Sequence, residues 1–166
     1  MIQIADTLNT LTYVELIARV ALAGIFGALL GLDRDAKGKP VDFRAFMIVC
    51  ISTCLVAILG QELFFTYKNE AESEFLNLDL GKIIAGALTG IGFLGAGAII
   101  QNCDEQKVVG TATGAGIWGS AIIGLCLGFG QLILALTGFI IIGIILFFAG
   151  RIFSYLKTLQ QKNSPK

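Results

Sequence analysis

Apolar residues fall in runs long enough to cross a membrane. A helix needs about 20 mostly apolar residues to span the hydrocarbon core. Tyr13 to Leu32 qualifies, although Glu15 and Arg19 lie inside it. Ala45 to about Phe65 is a second such run, with Gln61 and Glu62 near its end, and Ile83 to Ile100 is a third, without charge. From Val108 to Gly150 no charged residue interrupts the chain. At 1.5 Å per residue that is about 64 Å of helix, two crossings. The break belongs at Gly128-Phe129-Gly130-Gln131, where glycine and a polar residue cluster. The pattern predicts an all-α, polytopic helical membrane protein with five transmembrane helices, over about 13–32, 45–65, 83–100, 108–128 and 131–150. These make one transmembrane domain over 1–150, followed by a short tail over 151–166.

Orientation follows Lys and Arg in the short loops. Arg34, Lys37, Lys39 and Arg44 lie in the first loop, Lys107 in the third, and Arg151, Lys157, Lys162 and Lys166 in the tail. The opposite side holds only Lys68 and Lys82. The N terminus is therefore predicted outside and the C terminus in the cytoplasm. A four-span reading with one re-entrant segment would put both termini on one side.

Composition agrees. Hydrophobic residues make up 55% and charged residues 14%, and mean hydropathy is +0.81. Soluble domains carry roughly 25% charge, and disorder needs low hydrophobicity with high net charge. Net charge is zero, so no basic excess points to nucleic acid. There is no His, which removes the commonest general base and metal ligand. Cys50, Cys54, Cys103 and Cys126 form no C-x-x-C and read as small buried hydrophobes. Met1 to Thr12 lacks the basic start of a secretory signal. No catalytic residue, metal site or cofactor is predicted, and an enzyme is not expected. The Gly90-x-Gly92-x-x-Gly95 string has dinucleotide-binding spacing but lies inside a span, not between a strand and a helix.

Small residues let helices approach closely in lipid. Ala23, Gly27 and Gly31 recur every four residues in the first span; Ala112, Gly116, Ser120, Gly124 and Gly128 do so in the fourth. The fourth-span stripe reads as a helix-docking face for a second copy or a partner. The third span carries Gly86, Gly90, Gly92, Gly95 and Gly97. So many glycines suggest close packing on several sides, or a broken helix lining a cavity. Trp118, mid-way along the fourth span, reads as a buried aromatic whose indole N–H needs a partner such as Thr89, Thr111 or Thr113.

Two charged groupings stand out. Glu15 and Arg19 are spaced i, i+4 with the acid first, the better order for a helical pair. A charge within a span should face protein or water, and Glu62 falls at the same predicted depth. Glu15, Arg19 and Glu62 thus form a candidate outer cluster, either a structural ion pair or an ion path. On the inner side, Asp33 and Arg34 end the first span and Arg44 starts the second. With the free amides of a helix starting near Gly110, the two arginines could hold an anionic group; topology control is the simpler reading.

These residues, in this order, resemble the MgtC/SapB family of bacterial membrane proteins. The matches are Glu15-x-x-x-Arg19, Gly27-x-x-x-Gly31-x-Asp33-Arg34, Lys39-Pro40 with Arg44, Gly90 through Gly97, and Gly110-Thr111-Ala112-Thr113 leading to Trp118. The family usually has Gly where this chain has Asp42 and Thr where it has Ala45. The resemblance implies a multi-pass protein of the bacterial inner membrane, of the short type without a C-terminal cytoplasmic domain. It further implies a link to magnesium limitation, envelope stress and, in some members, virulence. Such proteins are thought to act on other membrane proteins, including pumps, transporters and the ATP synthase. The expected partners are therefore the lipid bilayer, a second copy, and a membrane protein, with no nucleic acid. An ion transporter or channel with a polar pathway near Glu15, Arg19 and Glu62 is the alternative.

Overall fold

The computed structural model describes residues 13–36, 41–67, 79–102 and 107–162. They form five helices: α1 (Tyr13–Ala36), α2 (Phe43–Tyr67), α3 (Leu80–Gly97), α4 (Thr111–Gly128) and α5 (Leu132–Lys162). A short antiparallel hairpin, β1 (Ile100–Asn102) with β2 (Lys107–Val109), joins α3 to α4. The helices α1 to α4 are each long and apolar enough to cross a membrane, and α5 has an apolar stretch over Leu132–Phe148.

The helix starts follow local chemistry. Asp42 precedes α2, and its carboxylate accepts the Arg44 N–H at 3.2 Å while its carbonyl accepts the Ala45 N–H. This is N-capping, which satisfies amides that lack an intrahelical partner. The Arg44 side chain returns to the same carboxylate. The Arg44 N–H and guanidinium hold the exposed Asp42 carboxyl below the ordinary carboxylate range. Asp79 caps α3 in the same way, accepting the Gly81 N–H at 2.8 Å.

Close helix contacts lie where glycine removes the side chain. In α1, a Cβ at Gly27 would sit 2.7 Å from the Phe46 carbonyl oxygen, and one at Gly31 2.6 Å from the Phe43 Cα. The α1 stripe thus seats α1 antiparallel on α2. In α4, a Cβ at Gly116 would press on the Phe46 ring at 3.0 Å. One at Gly124 would run into the Cys50 carbonyl oxygen and the Thr53 hydroxyl, and one at Gly128 into the Cys54 carbonyl oxygen and Ala57. From Gly116 to Gly128 the α4 stripe is therefore occupied by α2, which runs parallel to it, while Ala112 at its start is exposed. Thr53 and Ser120, buried in this seam, donate to carbonyls of their own helices, Val49 at 2.9 Å and Ile117 at 2.7 Å. Both hydroxyls are thereby satisfied within their own helices. α5 covers the other side of α4 at Gly119 through Ile142, and meets α1 where Phe26 stacks on Phe139 with ring centroids 4.4 Å apart.

The α4 stripe, expected to dock a second copy or a partner, is taken from Gly116 to Gly128 by α2 of the same chain, and four further expectations need correction. The third span ends at Gly97, and Ile100 belongs to β1; likewise Val108 and Val109 belong to β2, and α4 starts only at Thr111. Gly110 imposes that start: it has φ of +93°, and a Cβ there would collide with the Ala98 carbonyl oxygen. α5 runs on past Gly150 to Lys162 without a break at the predicted tail boundary. Third, α3 is one unbroken helix, and it does not pack on several sides. Among the described residues nothing lies within 4 Å of a Cβ at Gly86, Gly90, Gly92 or Gly97; only Gly95 meets α4, at Gly114. Last, Trp118 is not buried but 43% exposed. Two residues beyond Gly116 is about 200° around a helix, so a glycine facing α2 turns the tryptophan outward. Thr89, offered as its partner, donates to the Ala85 carbonyl of its own helix.

Candidate functional site

Glu15 and Arg19 of α1 meet the end of α4. That end closes as a Schellman motif: the Gly130 N–H donates to the Leu127 carbonyl at 3.0 Å and the Gln131 N–H to the Cys126 carbonyl at 2.8 Å. Gly130 takes the left-handed conformation the motif requires, with φ of +75°. The Gly128 carbonyl is one of the acceptors a helix end leaves without an intrahelical donor. Arg19 supplies the donor from Nη1 at 2.9 Å. Its Nη2 donates to Glu15 Oε1 at 2.6 Å. The guanidinium also lies against Gly130, where an added Cβ would come within 2.8 Å of Nη2.

The electrostatics are favourable. A cation at a helix C-terminus faces the negative end of the helix dipole, and Glu15 balances the charge. The Arg19 side chain is only 15% exposed, Glu15 51%. α4 is 18 residues long, about 27 Å at helical rise, close to the hydrocarbon thickness. Arg19 therefore meets α4 at one end of its apolar length and not at its middle, and a charge costs far less near the edge of an apolar layer than at its centre. A cleft of about 220 Å³ opens beside the pair, walled by Ala18, Leu22, Leu127 and Leu132.

The structure brings together Glu15 and Arg19 but does not place Glu62 among the residues of this cleft. Glu62 is half-buried near the end of α2. One turn beyond Ala57, Gln61 has a buried Oε1 with no hydrogen-bond partner. At the opposite end, Arg44 is exposed and paired with Asp42. Asp33 and Arg34 fall on the last turn of α1, and their side chains lie outside the described ones. Among the described residues no three of His, Cys, Asp and Glu converge as a metal site would need. The sequence reading missed the Gly128 carbonyl as the partner of Arg19. Gly130 signalled a helix end, but no local pattern links it to a residue more than a hundred positions earlier.

The sequence profile of the MgtC family matches residues 20–155. The chain belongs to the MgtC family. It is 32% identical to YhiD of Escherichia coli K12, provisionally named a magnesium transporter, over 75% of this chain and 55% of that protein. It is 27% identical to SapB of Bacillus subtilis over 70% of this chain and 48% of SapB. With MgtC of Salmonella typhimurium LT2 the identity is 31% over 76% of this chain and 48% of MgtC. The chain thus spans about half the length of these curated relatives. No solved structure matches it.

Proposed function

We propose that this MgtC-family chain regulates other membrane proteins, or membrane energetics, under magnesium limitation or envelope stress. It would act from the bacterial inner membrane with its N terminus outside, as the Lys and Arg distribution favours. One observation carries the reading. The charged pair within the spans is already committed: Arg19 closes the end of α4 and holds Glu15. A residue fixed by a helix end and a counter-ion suits a scaffold better than a moving gate. Partners of the expected kind are a pump, a transporter or an ATP synthase-like complex, met through helix surfaces within the bilayer.

The name of YhiD favours a second reading, transport of a cation, and the cleft beside Glu15 and Arg19 is the polar opening that supports it. Purified protein in liposomes separates the two. Regulation predicts no flux of magnesium or of monovalent cations, with a membrane protein co-purifying from native membranes. Selective flux lost in Glu15→Gln would replace regulation by transport.

A further inference from the structure

α3 packs along one side only, with Leu80 and Ile83 against Gly60 of α2 and Gly95 against Gly114 of α4, and Gly95 is its one fully buried residue. Gly86, Gly90, Phe93 and Gly97 recur at steps of four, three and four, so they share one face. At each of the three glycines the space is open among the described residues, while Phe93 is 84% exposed. Next to Phe93 and Gly97 lies an apolar cleft of about 310 Å³, walled by Val41, Leu94, Ala98 and Ile117. The same face thus carries a large aromatic knob and a hollow wide enough for an aromatic ring.

Its first turn is charged. Asp79 and Lys82 are both exposed and lie three residues apart. Asp79 is engaged only with the backbone at the start of its own helix, and Lys82 makes no ion pair among the described residues. An acid and a base side by side are complementary to the same two groups on a copy related by a two-fold axis. A two-fold contact requires each surface to be its own complement, and this face meets that condition in shape and in charge. In lipid, helices associate by packing, and small residues permit the close approach.

We propose that α3 is the contact surface of a homodimer whose two-fold axis lies along the membrane normal. The two α3 helices run side by side. Phe93 of each copy enters the other's cleft beside Gly97, and Lys82 faces the partner's Asp79. The α4 stripe takes no part, because α2 fills it. This assembly is independent of whether the protein regulates or transports.

Single-molecule photobleaching of the full chain, labelled once and diluted in liposomes, counts the copies. Wild type should bleach in two steps. Gly90→Leu and Phe93→Ala should each weaken association at least tenfold. Ile133→Ala, at an equally exposed position on α5, should leave it unchanged. Asp79→Lys should weaken the dimer, and adding Lys82→Asp should restore it. Because the space at Gly90 is open, Gly90→Leu should unfold at the wild-type temperature in detergent. Single-step bleaching of wild type at every dilution would overturn the proposal. So would a dimer indifferent to Gly90→Leu and Phe93→Ala, or a Gly90→Leu chain that fails to fold.

Discussion

α3 and α4 are both 18 residues long, both rich in glycine, and antiparallel neighbours touching at Gly95 and Gly114. Yet 67% of α4 is buried and only 6% of α3. In α4 the missing side chains of Gly116, Gly124 and Gly128 are replaced by atoms of α2, including two backbone carbonyls. In α3 four of the glycines meet nothing within 4 Å among the described residues. The same residue type in the same setting therefore does two jobs. In the middle of the bundle it lets a backbone approach; at the edge it leaves a surface open. Glycine counts alone do not distinguish them. What does is the neighbour each glycine faces: backbone and side chains of α2 at Gly116, Gly124 and Gly128, and open space at Gly86, Gly90, Gly92 and Gly97 among the described residues.

The largest effects are expected at the α2–α4 seam. Gly128→Leu would push a side chain into Cys54 and Ala57, and no rotamer avoids a backbone carbonyl. Overpacking alone typically costs about 1–3 kcal/mol, and this collision with main chain should exceed that. Expression with size-exclusion chromatography in detergent should show aggregate in place of a monodisperse peak. Gly110→Ala comes next. It combines a left-handed φ with a clash at Ala98, strain of about 1–3 kcal/mol before the clash is added, and should lower the unfolding temperature sharply.

Arg19→Gln is of intermediate size. It leaves the Gly128 carbonyl without its charged donor and Glu15 without its partner. A buried acceptor stripped of its donor costs about 1–3 kcal/mol. Thermal unfolding should fall accordingly, with Glu15→Gln milder because Glu15 is half-exposed. Gly90→Ala, on the open face of α3, should behave in the opposite way. An unclashed glycine-to-alanine change in a helix gains up to about 1 kcal/mol from propensity, so stability should hold or rise slightly.

The smallest effect is at Asp42. Its carboxyl is held below the ordinary range by Arg44. A depressed folded-state value means the stabilisation is complete above the unfolded-state value and is lost as pH falls through the folded-state one. Wild type should therefore lose slightly more stability than Asp42→Asn between neutral and strongly acidic pH, measured by urea unfolding in detergent.

Much of this architecture could be read from the chain. Span positions follow from hydropathy, because a membrane tolerates few other ways to bury 20 apolar residues. The Ala23-Gly27-Gly31 stripe marked a true helix contact, since small residues at four-residue spacing stack on one face. Which helix a stripe meets was not readable: the α4 stripe looked free for another protein and is used by α2 of the same chain. The environment of Trp118 escaped for the same reason. The Glu15–Arg19 pair was visible because it is local; the Gly128 carbonyl was not, because tertiary packing alone brings it to Arg19. The capping role of Asp42 emerges only once α2 is seen to begin at Phe43.

α4 uses its glycines inside the chain, whereas α3 keeps its glycines open. Thermal unfolding of Gly124→Leu beside Gly90→Leu, both monomeric in dilute detergent, separates the two roles. The structure predicts that Gly124→Leu loses its cooperative transition, because the new side chain meets Cys50 and Thr53, while Gly90→Leu melts with wild type. Equal destabilisation of the two, or a tolerant Gly124 beside an intolerant Gly90, would contradict the account.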